Sequence, residues 1–171
     1  MIFVAVGTTH NFDRLVRWVD EAAGRRLLDD DVFAQIGDGQ YRPRHLRCAT
    51  SVAKQEFDDL LARSRCVISH ASMGTVTAAL AQRKPILVVP RLKRYREAVN
   101  DHQVALAEEF ARRGHALMAR DAAEFFGALE QLRTFVPVPR EAQPEAVVKR
   151  IAAFLEGVHT KGQANGVRVG S

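Results

Sequence analysis

Cysteine is nearly absent. Cys48 and Cys66 are the only two; their spacing fits no metal site, and both lie in strand-like runs, so buried free thiols in a reducing cytoplasm are expected. Long apolar runs are missing, so no segment reaches the length that spans a bilayer. The start, Met1–Gly7, is apolar but short, lacks a basic leader and enters a turn directly; it reads as a first strand and not as a signal peptide. There is no basic, aromatic-interleaved stripe of the kind that binds RNA, which argues against nucleic acid. The usual enzyme signatures are lacking too. No GxGxxG follows the first strand, and GxxxxGK[ST], GxSxG and HExxH do not occur. A nicotinamide cofactor, a P-loop nucleotide, a serine-hydrolase elbow and a bound metal are all unexpected.

What is present is a globular chain. Hydrophobic residues make up 47% of 171 positions, enough for one domain with a full core and not for two. Net charge is +5, which fits an anionic partner or a phosphorylated ligand. The cations are scattered, with the densest cluster at Arg91, Lys93, Arg94 and Arg96. That cluster either faces a partner, an anionic membrane surface or a lipid-linked diphosphate, or is a solvated turn.

Six strands are expected, near 2–6, 32–36, 47–51, 66–69, 86–89 and 115–118. Phe12, Leu15, Val16, Val19, Ala22 and Ala23 recur at helical spacing, predicting a helix from about Asn11 to Leu28. Shorter helical patterns surround Leu60, Phe110 and Leu129; Gly114 should end the second of these, and a last helix should open at Pro144 and run past Ile151. Strands alternating with helices indicate an α/β domain with a mostly parallel, Rossmann-like sheet. One join is awkward. Gly37–Leu46 links two strands with no helical pattern, whereas a parallel crossover normally needs a dozen or more residues. Phe135–Pro139 reads as an extended linker, and 158–171 as a mobile tail beyond a domain of residues 1–157.

The most informative stretch is Cys66–Thr75. A buried strand leads into a small-residue turn, His70, Ala71, Ser72, Met73, Gly74 and Thr75, and then into a helix that Pro85 stops. A helix starting there points its free N–H groups and positive dipole end at the carboxyl edge of the sheet, an anion site most often used for phosphate. An ordinary turn with Ser72 as N-cap explains the same residues. Two further polar loops fall at strand ends on that edge: Gly7, Thr8, Thr9, His10 and Asn11 after the first strand, and Arg91–Gln103 after the fifth. Asn11 is placed to cap the next helix. Asn100 with Gln103 resembles a capping box, which leaves Asp101 and His102 unexplained.

Taken together, Val6-Gly7-Thr8-Thr9, Val67–Thr75, and Pro85 through Val89-Pro90 to Asn100-Asp101-His102-Gln103 resemble the carboxyl-terminal, donor-binding domain of family 28 glycosyltransferases, over about residues 1–157. In size the chain is similar to the small soluble subunits of split members, in the dolichol-pathway N-acetylglucosaminyltransferase and in bacterial exopolysaccharide enzymes. The resemblance implies one half of a GT-B enzyme, metal-independent and inverting, that binds a UDP-sugar. Its acceptor half would be a separate, membrane-associated subunit, leaving this chain cytoplasmic and tied to the inner membrane face only through that partner. By position, Gly7, Thr8 and Thr9 would lie beside the donor diphosphate, His70–Thr75 would form the phosphate and ribose turn, and Asp101, His102 and Gln103 would face the sugar. Relatives often carry an acidic residue in the helix after the turn to hold the ribose; here that position is Ala78. No catalytic base stands out, since His10 and His102 serve equally as donor ligands, and the base is expected on the partner. A non-catalytic activator of a partner enzyme is the rival reading, and an unrelated nucleotide-binding regulator a third.

Overall fold

The computed structural model describes residues 1–8 and 10–139. The expected helix at Pro144, the tail 158–171 and Thr9 lie outside the described residues. Six strands form one parallel sheet: β1 (Ile2–Ala5), β2 (Val32–Gln35), β3 (Arg47–Ala49), β4 (Cys66–His70), β5 (Ile86–Val89) and β6 (Leu117–Met118), in the order β3-β2-β1-β4-β5-β6.

Alternation along β1 sorts the core into two layers, because successive side chains leave opposite faces of a strand. Ile2 and Val4 join Leu15, Val16 and Val19 of α1 (Asp13–Gly24) and Phe125 and Leu129 of α5 (Ala122–Leu132). Phe3 and Ala5 join Leu60 and Leu61 of α2 (Lys54–Arg63), Val76, Ala79 and Leu80 of α3 (Met73–Ala81), and Ala107 and Phe110 of α4 (His102–Arg112). The result is a doubly wound, three-layer domain. Gly114 ends α4 as the sequence predicts: at φ +68° it lets its own N–H reach Ala111 O and the His115 N–H reach Phe110 O. Phe135–Pro139 carries no helix or strand, and the Val138 N–H donates to Gly114 O at 2.8 Å.

The awkward join is a true parallel crossover made without a helix. Asp20, buried on α1, anchors it: its carboxylate accepts the Tyr41 hydroxyl (2.6 Å) and the N–H groups of Arg44 (2.9 Å) and His45 (2.7 Å). Burial pushes the Asp20 carboxyl up, but the bonds from Tyr41, His45 and Arg44 outweigh it and hold the group below the usual carboxylate range. Two expectations are corrected here. Cys48 is exposed, because β3 is the sheet's edge strand; only Cys66 is buried, and burial raises its thiol pKa. The first helix begins at Asp13 and ends at Gly24, with Phe12 at its N-cap position and no side-chain cap, so Asn11 does not cap it. Among the described residues no helix is long and apolar enough to cross a membrane.

Candidate functional site

The strand order reverses between β1 and β4, and their following loops diverge to opposite faces. Ligands of open α/β sheets bind at the carboxyl edge beside such a switch point. The β1 loop is held by Gln35, whose amide accepts the Gly7 N–H (3.0 Å) and donates to Gly7 O (2.9 Å). Gly7 has φ +79°, and a Cβ there would come within 2.9 Å of His70 Cε1. Only glycine fits both demands, and the close approach it permits is to an imidazole of the protein itself. Thr8, His10 and Asn11 are exposed beyond it.

His70 is the last residue of β4, not part of the turn, and is buried. Its Nδ1 lies 3.3 Å from Ala5 O and 3.4 Å from Ser69 Oγ. Burial, helped by the charge of Arg91, pulls its pKa down to about 4, against the bond to Ala5, which raises it. It is therefore neutral at physiological pH, with the proton on Nδ1 facing the carbonyl and Nε2 left as an acceptor under Gly7. It brings no positive charge to a phosphate. A stability signature follows. The unfolded chain takes up this proton at 6.5 and the folded chain only at about 4, so the stability is complete above pH 6.5 and is lost on acidification towards 4. The loss should be on the order of 3 kcal/mol. Urea unfolding across that range should show a steeper slope in the wild type than in His70→Gln, which keeps only the slope of carboxylates such as Asp20. Equal slopes would mean that His70 protonates freely in the fold.

At the start of α3, Ser72 is the N-cap, accepting the Thr75 N–H at 3.5 Å and donating its hydroxyl to Thr75 Oγ1 at 3.3 Å. Capping therefore explains Ser72. It does not explain the next two residues. Met73 and Gly74 are exposed, and among the described residues their N–H groups have no acceptor. A Cβ on Gly74 would meet nothing within 4 Å. The helix thus offers two free donors and its positive dipole end to open space beside the switch point. Ala78 is half-buried against the α2–α3–α4 layer of the core.

The β5 loop is tied to the others by side chains that the sequence leaves unremarked. Arg91, expected in an exposed cationic cluster, is buried: its Nη2 donates to Val6 O and to His10 O (2.6 Å), and its Cζ lies 5.3 Å from the Phe12 ring centre. Gln103 does not complete a capping box. Its Oε1 accepts the Arg91 N–H at 3.1 Å, while Asn100 Oδ1 accepts the His102 N–H at 3.2 Å and contacts His102 Nδ1. Gln103 therefore holds the loop backbone. Asp101 and His102 are exposed, and Asp101 Oδ1 accepts the Lys93 N–H (2.7 Å). Arg14, from α1, pairs with buried Glu97 through two 2.8 Å bonds and donates to Pro90 O (2.9 Å). The structure therefore joins the β1 loop to the β4 end through Gly7 and His70, and to the β5 loop through Arg91. Asp101 and His102 stand on the outer side of that assembly. Among the described residues no group of three or more His, Cys, Asp or Glu side chains could hold a metal ion.

Residues 1–153 match the glycosyltransferase family 28 C-terminal domain. The chain belongs to this family. It is accordingly a glycosyltransferase. A curated relative, the UDP-N-acetylglucosamine transferase subunit ALG13 of Yarrowia lipolytica, is 28% identical over 172 residues, covering 91% of this chain and 86% of that one. The solution structure of ALG13 superposes with a TM-score of 0.57 at 18% identity over 84% of this chain and 91% of that one. The glycotransferase of kitacinnamycin superposes with a TM-score of 0.59 at 19% identity over 78% of this chain, which spans only 34% of that protein. The two structures establish a shared GT-B half-fold and nothing finer.

Proposed function

We propose that this glycosyltransferase is the UDP-sugar-binding subunit of a two-component, inverting enzyme that transfers a hexosyl group to a lipid-linked acceptor in polysaccharide biosynthesis. The observation that supports this reading is the open start of α3, where the Met73 and Gly74 N–H groups lack acceptors at the switch point. A diphosphate seated there takes both bonds and the helix dipole, so a departing UDP needs no metal to stabilise it. His70 lies buried under Gly7, and a pKa pulled down to about 4 makes its free Nε2 a weak base. The base that deprotonates the acceptor hydroxyl is assigned in this reading to a membrane-associated acceptor subunit. That subunit places the chain at the cytoplasmic face of the membrane.

The product context is coarser than the sequence reading had it. The curated relative is named for UDP-N-acetylglucosamine, so UDP-N-acetylglucosamine is the first donor to test. Ala78 gives no carboxylate to the ribose, so another group makes that contact. UDP should raise the melting temperature more than ADP does, with roughly 2.7 kcal/mol of stabilisation at a hundredfold excess over its dissociation constant. Sugar transfer should require the acceptor subunit. No shift with millimolar UDP would sink the donor reading, and robust transfer by this chain alone would sink the half-enzyme reading.

A further inference from the structure

The loop after β5 carries three cations at its tip whose side chains meet no acid among the described residues. Lys93, Arg94 and Arg96 are all exposed, and among the described residues none forms an ion pair. Several cations on the helices are paired instead. Arg112 and Arg113 share Glu109, Arg120 meets Glu108, and Arg25 meets Glu21. The tip also presents apolar surface: Tyr95 is 52% exposed and Val99 78%, and the Arg94 guanidinium lies 4.9 Å from the Tyr95 ring centre.

This tip is not a loose turn. A single 3-10 turn, Lys93–Tyr95, shapes it. Glu97, clamped by Arg14, accepts the Leu92 N–H at 3.0 Å, and Asp101 accepts the Lys93 N–H. Within the turn the Arg96 N–H donates to Lys93 O (2.8 Å) and the Arg14 guanidinium lies 4.9 Å from the Tyr95 ring centre, so backbone bonds and Arg14 hold the tip while the charged heads of Lys93, Arg94 and Arg96 stay free for a ligand. A groove of about 340 Å³ opens beside the base of the tip, lined by Pro90, Leu92, Arg94, Asp101, Val104 and Arg120.

We propose that this tip is a docking surface for anionic phospholipid headgroups, and that it turns the carboxyl edge of the sheet towards the membrane. The chemistry fits a bilayer surface. Lysine and arginine pair with lipid phosphates, tyrosine settles at the headgroup level, and an exposed valine enters the acyl boundary. A stable protein interface covers about 800 Å² on each side, so a protein partner would have to reach well beyond these side chains, and charge reversal confined to the tip separates the two. The tip leaves the same strand edge as the α3 start. Docking would therefore bring the donor site to where a lipid-linked acceptor carries its own phosphates, without a membrane-spanning segment of this chain. That consequence for catalysis rests on the donor reading; the binding to lipid does not.

The test is co-sedimentation of the full chain with neutral phosphatidylcholine vesicles and with vesicles containing about 30% phosphatidylglycerol, at low and at raised salt. Binding should need the anionic lipid and weaken as salt rises. Arg94→Glu with Arg96→Glu should weaken it at least tenfold. Arg44→Glu with Arg63→Glu, the same change in net charge elsewhere, should weaken it less than about threefold. Circular dichroism of both variants should match wild type. No binding to anionic vesicles, or equal losses in the two variants, would overturn the proposal. So would a tip variant that keeps its lipid binding but no longer binds the acceptor subunit, which would make the tip a protein contact. The UDP-induced thermal shift is read on the same samples: vesicle binding without that shift sinks the donor reading and leaves the lipid surface standing.

Discussion

Glu97→Ala is expected to destabilise the fold by about 3–5 kcal/mol, a fall in melting temperature on the order of 10 °C. Glu97 is 5% exposed, and its two carboxylate oxygens accept Arg14 Nε, Arg14 Nη2 and the Leu92 N–H. Removing it leaves the Arg14 guanidinium, itself mostly buried, without its counter-charge, and leaves a backbone donor unpaired. An intact buried pair contributes little net stability, because desolvation of both ions offsets their attraction; the large effect comes from breaking one side. Arg14 would keep its bonds to Pro90 O and Arg120 O and its position 4.8 Å from the Trp18 ring centre, so the domain should still fold. Glu97→Gln keeps an acceptor for Leu92 and should cost less. Urea unfolding measures both. A loss below about 1 kcal/mol for the alanine variant would show that the pair is solvated, as surface pairs are.

The contrast between Arg14–Glu97 and the α3 start shows where sequence reading stops. Ser72, Gly74 and the strand before them were legible because everything that shapes them is local: a buried apolar run, a capping hydroxyl and a glycine within a few residues. The parallel α/β class followed from the alternation of strands and helices; the order β3-β2-β1-β4-β5-β6 did not, because alternation alone does not say on which side of β1 each strand pairs. Asp20 was not legible as the anchor that lets residues 36–46 cross without a helix, since its partners Arg44 and His45 lie 24 and 25 residues away and donate backbone groups. Arg14 and Glu97 are 83 residues apart, and Arg91 reaches a carbonyl 85 residues back. In the sequence all three look like solvated charges, and Arg91 looks like its exposed neighbours Lys93 and Arg94. A charge flanked by prolines and apolar residues at a strand end, as Arg91 is by Val89, Pro90 and Leu92, was the one available hint. Burial of Gln103 was hidden for the opposite reason: a local motif, the capping box, explained it too readily.

Gly74→Val should abolish UDP binding while leaving the fold intact, with affinity falling at least a hundredfold, or about 2.7 kcal/mol. Gly74 is exposed, lies in the first turn of α3, and has open space where a Cβ would stand. Its backbone is not in the left-handed region, so valine adds no strain to the turn, and glycine is the poorer helix former of the two. The protein itself therefore gives no reason for a glycine here. A ligand does: a branched side chain would stand between the diphosphate and the Met73 and Gly74 N–H groups, blocking both bonds and removing the anion from the helix dipole. Calorimetry with UDP and circular dichroism of the same sample separate the two effects. Gly74→Ala, with one methyl, should fall between wild type and valine. If UDP binds the valine variant unchanged, the diphosphate lies away from α3, and the three loops at the carboxyl edge have another purpose.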